Sequence, residues 1–231
     1  SARIGAGGSG VDGTITNGAV TVTGTTLSMT GGSNTSAYTQ IGSGGAATGG
    51  GNLFLGSVTG DVNVTMSGAI TMASGTNGST FSQIGAGGAG INGAAGTNTI
   101  TSATTVRGTS LAMTASSGNG AYVQIGAGGG ATGVATPTSA LGSITGDVAV
   151  TTTGGGIAMG STGSGTRNYV QIGAGGSGID GGSAGLGAAN TITSATTVST
   201  TGGGLSMDSS LAAYTQIGAG GLNVDGTLSG A

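Results

Sequence analysis

The sequence predicts an all-β fold, a parallel β-solenoid (β-helix) built from about five repeats of 41–47 residues. Three observations lead to this prediction. One eight-residue phrase recurs at near-constant spacing, apolar residues between its copies alternate with small or polar ones, and glycine accounts for 58 of the 231 residues. A period in this range is typical of stacked repeats, and alternation is typical of a strand with one buried face. Glycine disfavours helix by about 1 kcal/mol per position.

The recurring phrase reads aromatic, any residue, Gln-Ile-Gly, a small residue, Gly-Gly. Successive Gln residues are 43, 41, 47 and 45 positions apart, and an incomplete copy opens the chain with Arg3 in place of Gln. We interpret the aromatic, Gln and Ile positions as the structural residues of the repeat. They are Tyr38, Gln40, Ile41, Phe81, Gln83, Ile84, Tyr122, Gln124, Ile125, Tyr169, Gln171, Ile172, Tyr214, Gln216 and Ile217.

Two further patterns recur between the phrases. An Ile or Val followed by a Val precedes an apolar-x-Met triplet, as in Ile70-Thr71-Met72. Thr-Gly-Asp-Val at 59–62 and 145–148 alternates with Ile-Thr-Ser-Ala-Thr-Thr-Val at 100–106 and 192–198, so odd and even repeats differ. Each strand is expected to pair in parallel with its equivalent in the next repeat. We predict one continuous solenoid over residues 1–231, without an internal linker.

The packing within one repeat is harder to predict from the sequence than the succession of strands. A single coil of a whole repeat would enclose more space than its few apolar side chains fill, so we expect two coils per repeat. Within the phrase, Ile41 shares a strand face with Thr39, whereas Tyr38 and Gln40 share the other face. We predict that Ile faces inward. The aromatic and Gln residues would then form surface or corner ladders in which the stacked Gln side chains bond to one another.

The phrase, together with Thr-Gly-Asp-Val and apolar-x-Met, resembles the repeats of giant bacterial surface exoproteins of the filamentous-haemagglutinin-like type. The resemblance covers the chain from Arg3 to Gly221. It implies a right-handed parallel β-helix, an extracellular or cell-surface location, structural and adhesive roles, and no catalysis. The repeat here is about twice the usual coil of that family, and the family's amino-terminal secretion domain is not in this sequence.

Composition opposes most chemical functions. The chain has no Cys, His, Lys or Glu, and its charges are three Arg and six Asp. Three cations give no electrostatic footprint for nucleic acid or an anionic membrane, and no apolar run is long enough to span a bilayer. Without His, Cys or Lys, no Ser or Thr has a conventional activating base. We expect no enzyme, no catalytic residue, no cofactor and no metal.

Several motifs have plainer interpretations. Gly-x-Gly-x-x-Gly at 5–10, 85–90 and 173–178 matches a dinucleotide fingerprint but lacks the helix that must follow. Gly-Gly-Ser-Gly-x-Asp at 7–12 and 175–180 matches the start of a calcium-binding nonapeptide, but its copies are isolated, so tight turns are the preferred interpretation. The Asp residues are expected in Asx-type turns. Threonines such as Thr14 and Thr16 could form the rows used by ice-binding solenoids, yet their positions drift between repeats.

The sequence favours a non-catalytic structural and adhesive segment of a large secreted or cell-surface bacterial protein that forms an extracellular fibre. Its partners would be adjacent repeats of the same giant chain or copies of itself, together with a host or neighbouring-cell surface. The alternative is a subunit that polymerises end to end into an extracellular filament or sheath. That alternative is suggested by the ends of the sequence, which lack the caps that block edge pairing.

Overall fold

The structure, a computed structural model, describes residues 1–9, 13–46, 55–89, 98–130, 141–162, 164–177, 191–210, 213–222 and 227–229. This part of the chain contains 28 β-strands and no helix. The strands form five parallel sheets, and every fifth strand along the chain belongs to the same sheet. We number the sheets 1 to 5 after their first strands. The prediction of a parallel β-solenoid is confirmed.

The strands are short and recur in the same order in each repeat. Sheet 1 contains β1 (Ala2–Ile4), β6 (Tyr38–Ile41), β11 (Phe81–Ile84), β16 (Tyr122–Ile125), β21 (Asn168–Ile172) and β26 (Ala213–Ile217). Sheet 2 contains β2 (Gly7–Ser9), β7 (Gly44–Ala46), β12 (Gly87–Ala89), β17 (Gly128–Gly130), β22 (Gly175–Ser177) and β27 (Gly220–Leu222). Sheet 3 contains β3 (Gly13–Thr16), β8 (Leu55–Thr59), β13 (Asn98–Thr101), β18 (Leu141–Thr145), β23 (Thr191–Thr193) and β28 (Thr227–Ser229).

The remaining two sheets hold the Val-x-Val and apolar-x-Met segments. Sheet 4 contains β4 (Val20–Gly24), β9 (Val62–Met66), β14 (Thr104–Gly108), β19 (Val148–Thr152) and β24 (Thr196–Thr200). Sheet 5 contains β5 (Leu27–Thr30), β10 (Ile70–Ala73), β15 (Leu111–Ala115), β20 (Ile157–Ser161) and β25 (Leu205–Ser209).

Each repeat makes one coil, and the prediction of two coils per repeat is wrong. Ile41 pairs with Ile84, which is 43 residues away, and Ile84 pairs with Ile125. The same one-repeat step separates Met29 from its partner Met72. About five rungs are therefore stacked, each a full repeat in length.

A long coil remains filled because sheet 1 is buried on both faces. On one face, Ile41 and its equivalents join the main core with the Val residues of sheet 4 and the Leu, Ile and Met residues of sheet 5. On the other face, the aromatic residues form a second cluster with Ala89 of sheet 2. The Ile and Val residues of sheet 3 form a third cluster with the small residue of the phrase, for example Ile100 with Ala86. The expected void is thus divided into three packed cores.

The prediction that Tyr and Gln form surface ladders is also wrong. In the three central copies the aromatic residue, the Gln and the Ile are all at most 1% exposed. The chain turns back after the phrase strand, and sheet 2 covers the aromatic face. A Cβ atom added to Gly130 of sheet 2 would lie 3.0 Å from Cε1 of Tyr122. The polar residue type of Gln predicts exposure to solvent, whereas the glycine strands of sheet 2 bury it.

We predict that Ile125→Ala lowers the free energy of unfolding by about 2–5 kcal/mol, the usual range for a large-to-small change in a core. Ile125 is completely buried in the main core and paired on both sides. Ile217→Ala should cost less because Ile217 is only partly buried. Denaturant unfolding of both variants beside the parent measures the difference. Equal losses for the two variants would contradict the proposed packing.

Candidate functional site

The predicted phrase residues come together as three continuous rows along the solenoid axis. Tyr122 pairs with Phe81 on one side and Tyr169 on the other, and Gln124 and Ile125 continue the same register. The incomplete first copy follows it too, because Arg3 pairs with Gln40 and Ile4 with Ile41. The phrase therefore defines one site that is repeated in every rung.

The turn that follows the phrase strand can be built only with glycine. Gly85, Gly87 and Gly88 have φ angles of 143°, 119° and 136°, a region that is accessible essentially to glycine alone. Space is equally restrictive. A Cβ atom on Gly87 would lie 2.0 Å from the carbonyl oxygen of Gly128 in the next rung, and one on Gly88 would lie 1.7 Å from that of Gly45 in the preceding rung.

Both the amides and the carbonyl groups of this turn make hydrogen bonds to the preceding rung. The amides of Gly85 and Gly87 donate to the carbonyl oxygens of Ile41 and Ser43 in the preceding rung, both at 2.8 Å. The carbonyl oxygens of the glycines themselves accept from the preceding rung's Gln side chain. Nε2 of Gln83 donates to the oxygens of Gly126 and Gly128 at 3.2 and 3.1 Å.

The same contact recurs along the stack. Nε2 of Gln124 lies 3.2 and 3.1 Å from the carbonyl oxygens of Gly173 and Gly175, and Nε2 of Gln171 lies 3.1 and 3.0 Å from those of Gly218 and Gly220. A buried carbonyl without a donor costs about 1–3 kcal/mol. The Gln carboxamide therefore gives the buried carbonyls of the glycine turn a side-chain donor from the preceding rung.

Arg3 performs this role in the incomplete copy. Its Nη1 donates to the carbonyl oxygen of Gly44 at 3.1 Å, and its Nη2 donates to that of Gly7. Gly44 holds the same position in its turn as Gly87, which accepts from Gln40 at 3.1 Å. A guanidinium group has only donors, so it can replace a carboxamide whose NH₂ group makes the contact.

Bonds from Gln to Gln are a minor part of the ladder, contrary to the sequence prediction. Within the described residues the one such bond joins Nε2 of Gln40 to Oε1 of Gln83 at 3.3 Å. Oε1 of Gln124 instead lies 3.5 Å from the Tyr169 hydroxyl. Oε1 of Gln40 and Oε1 of Gln171 are buried without a partner in the described part of the chain. The donor half of the carboxamide thus carries the inter-rung contact.

The aromatic row forms a continuous parallel stack. Ring centroids from Tyr38 through Phe81, Tyr122 and Tyr169 to Tyr214 are 4.9, 4.7, 4.8 and 5.2 Å apart, with interplanar angles of 2–11°. Tyr122 and Tyr169 are completely buried. Burial raises the pKa of both hydroxyls well above the ordinary value, because the phenolate would lose its hydration, and neighbouring tyrosines add to the effect.

The Asp residues of the even repeats also bridge rungs, a role that the Asx-turn interpretation missed. Oδ1 of Asp61 accepts from the amide of Ala103 at 2.9 Å, and Oδ1 of Asp147 accepts from the amide of Ala195 at 2.9 Å. Each donor lies in the following odd repeat. The alternation of Thr-Gly-Asp-Val with Thr-Ser-Ala-Thr was the available signal, because the two corners are complementary.

The structure gives little support to a chemical role for the other sequence motifs. In the described residues no group of three or more His, Cys, Asp or Glu side chains could hold a metal ion. The calcium interpretation depends on Asp12 and Asp180, which lie outside the described residues. The segments of Gly-x-Gly-x-x-Gly that are described form the glycine turns. No helix in the described ranges is long and apolar enough to cross a membrane.

The class of this protein, a parallel β-solenoid repeat protein, rests on its architecture alone. No family model matches the chain, and no match was found among curated proteins or solved structures.

We predict that Gly128→Ala destabilises the solenoid by at least about 3 kcal/mol, because it combines backbone strain with a steric clash. Gly128 has a φ of 123°, and its Cβ would lie 1.9 Å from the carbonyl oxygen of Gly175. Gly160→Ala is the matched control, since nothing lies within 4 Å of its Cβ position on β20. It should change stability by less than about 1 kcal/mol, in the stabilising direction. Thermal unfolding of both variants distinguishes the positions, and comparable losses would refute the turn argument.

We predict that the solenoid loses stability as the pH rises above about 10, the pKa of an unperturbed tyrosine. Below that pH both states hold the proton, so the contribution is fully present. Above it the unfolded chain ionises, whereas Tyr122 and Tyr169 stay protonated in the fold because burial raises their pKa. Tyr122→Phe should make the fall shallower, as the ring is retained and Phe81 already occupies the equivalent position. Urea unfolding at several alkaline pH values tests this, and identical pH slopes for parent and variant would contradict it.

Proposed function

We propose that this chain is a non-catalytic structural and adhesive segment of a large secreted or cell-surface bacterial protein of the filamentous-haemagglutinin-like type, contributing to an extracellular fibre. The phrase, the Thr-Gly-Asp-Val corners and the apolar-x-Met strands carry the resemblance to that family. The parallel β-solenoid architecture agrees with it. Adjacent repeats and a host or neighbouring-cell surface are the proposed partners.

The observation that carries the proposal is the continuity of the interior rows. The three rows of the phrase and the five sheets pass through successive rungs in one register. The main-chain hydrogen bonds between parallel strands therefore run along the solenoid axis, and side-chain bonds from the Gln ladder reinforce them. Such an arrangement resists extension and bending, which suits a fibre that holds an adhesive surface away from a cell.

Mechanical unfolding tests the fibre role. With the chain held at its two ends in a force spectrometer, we expect a series of steps, each releasing one repeat of 41–47 residues, since stability in a stacked array is a sum of neighbour contacts. Beads coated with the folded chain should also be retained on bacterial or animal cell layers more than beads coated with heat-unfolded chain. Extension at negligible force, together with equal retention of both bead types, would overturn the proposal.

A second candidate is assembly of copies end to end. Among the described residues Ile4, Leu205 and Met207 are the large apolar side chains that remain exposed, at 50%, 47% and 42%. Ile4 lies on the first strand of sheet 1, and the other two lie on the last strand of sheet 5. Ile4 also lines an apolar pocket with Leu27 and Met29 at the free edge of β5. These surfaces match the surfaces that bury one rung against the next.

Sedimentation distinguishes the two candidates. If copies stack, the parent chain should form larger species as its concentration rises, and a Leu205→Asp, Met207→Asp double variant should remain monomeric because the new charges would be buried without partners. Thr114→Asp is the control, since this residue is exposed on the middle strand of sheet 5. A parent chain that stays monomeric at every concentration would rule out end-to-end assembly and leave the giant-chain proposal as the remaining candidate.

A further inference from the structure

The outward face of sheet 3 is the one regular surface that neither the cores nor the proposed fibre role explains. Each described central residue of its strands is buried, namely Ile15, Val58, Ile100, Ile144 and Ile192. Because strand side chains alternate, the residues on either side of each point outward. They form two columns along the axis. The first column is Thr14, Ser57, Thr99, Ser143 and Thr191, and the second is Thr16, Thr59, Thr101, Thr145 and Thr193.

All ten of these positions carry a hydroxyl. The five named members of the second column are threonine, and the sixth strand, β28, continues that column with Ser229. The second column is in direct register over β8, β13, β18 and β23, where Thr101 pairs with Thr59 and Thr145, and Thr145 pairs with Thr193. Thr16 pairs with Thr59 in the same way. The impression that threonine positions drift is therefore wrong for this sheet. Repeat lengths vary in sequence, yet the pairing of the second column is preserved. Register shifts interrupt the sheet only before it, between Gly13 and Ile15 and between Asn98 and Thr99.

The neighbouring sheets show that this uniformity is not a general property of the solenoid exterior. The equivalent outward column of sheet 4 contains Thr23, Thr65, Arg107, Thr151 and Ser199. The first outward column of sheet 5 contains Ser28, Thr71, Ala112, Ala158 and Ser206. These faces accept alanine or a charged residue. In the ten positions of its two columns, sheet 3 carries only Thr and Ser.

The two columns form a rectangular net with fixed dimensions. Along the axis the hydroxyls repeat with the rungs, whose spacing is given by the aromatic centroids at 4.7–5.2 Å. Across the axis they are two residues apart, about 6.6 Å in a parallel strand. The oxygen atoms on the prism face of hexagonal ice also form a rectangular net. Its shorter edge is close to the rung spacing, and its longer edge is close to the two-residue step.

The chemistry of the net favours an ordered lattice over a dissolved ligand. A single exposed hydroxyl gains little from a partner, since each bond it makes replaces one to water. The gain becomes appreciable when many such contacts form at once on a rigid framework. Threonine suits this purpose because its branched side chain has few accessible χ1 rotamers.

The absence of charge from the two columns also favours ordered water over an ionic ligand. Neither column contains a charged residue, so nothing on this net attracts an ionic ligand or a charged protein surface. Asp61 and Asp147 lie two residues beyond the second column, and their carboxylates accept the amides of Ala103 and Ala195 at the corner. From the uniform columns, their spacing and their neutrality, we propose that the outward face of sheet 3 binds ice, with its threonine hydroxyls bonded to lattice water and its methyl groups filling the gaps between them.

Partition into growing ice tests the proposal. A dilute solution of the chain is frozen slowly onto a cold finger, and the protein in the ice is compared with that left in the liquid. The parent should be enriched in the ice several-fold over an inert protein of similar mass. Thr101→Tyr, on one of the two central strands of sheet 3, should abolish most of the enrichment because the bulky ring holds the net away from the lattice. Thr114→Tyr, exposed in the same rung on sheet 5, should retain it.

Circular dichroism melting establishes that each variant is folded. If Thr101→Tyr fails to fold, Thr145→Lys on the adjacent strand tests the same column. Thermal hysteresis, the gap between melting and freezing of a single ice crystal, gives an independent readout and should follow the same order among the variants. Exclusion of the folded parent from ice, or equal losses for the sheet 3 and sheet 5 variants, would overturn the proposal.

Discussion

The glycine turn after the phrase strand is the constraint on which the rest of the structure depends. Its glycines have positive φ angles, and the buried carbonyls of two of them accept a side-chain donor as well. The Gln of the preceding rung supplies that donor and is buried as a consequence. The same turn sends sheet 2 back across sheet 1, which encloses the aromatic row. The phrase therefore acts as one structural unit, in which the Gln, the Ile, the aromatic residue and the glycines depend on one another.

This coupling explains which features were predictable from the sequence. The strands of sheets 4 and 5 were, because Val-x-Val and apolar-x-Met alternate with the period of a one-sided strand, and Val64 and Met72 are buried as that period requires. The prediction that Ile125 faces inward does not follow from this rule, because all four residues of β16 are buried. The number of coils does not follow from the sequence, because comparing the apolar content with one undivided interior predicts two coils per repeat. The interior is divided by sheet 1, and no periodicity in the sequence records that fold-back.

Gln124 shows most clearly why residue type misled. Glutamine is usually exposed, and nothing next to it in the sequence signals burial. The relevant signal is the glycine spacing that follows it, since Gly126, Gly128 and Gly129 all have φ between 123° and 149°. The carbonyl oxygens of Gly126 and Gly128 in such a turn accept from the Gln of the preceding rung, Gln83. Arg3 supports this interpretation, as it retains only the donor property of Gln and makes the same contact.

Stabilisation in this molecule is axial, so interior and exterior obey different rules. Each rung is held by the rungs above and below it through identical residues in register, and such nearest-neighbour stacking constrains every inward position. Outward positions carry no such constraint, and sheets 4 and 5 accordingly vary from rung to rung. Uniformity on an outward face therefore needs a cause outside the fold. Sheet 3 meets that description, because a hydroxyl residue occupies each of the ten positions of its two columns from β3 to β23. The rigid interior holds those hydroxyls at a fixed spacing, which is the property that recognition of a repeating surface requires.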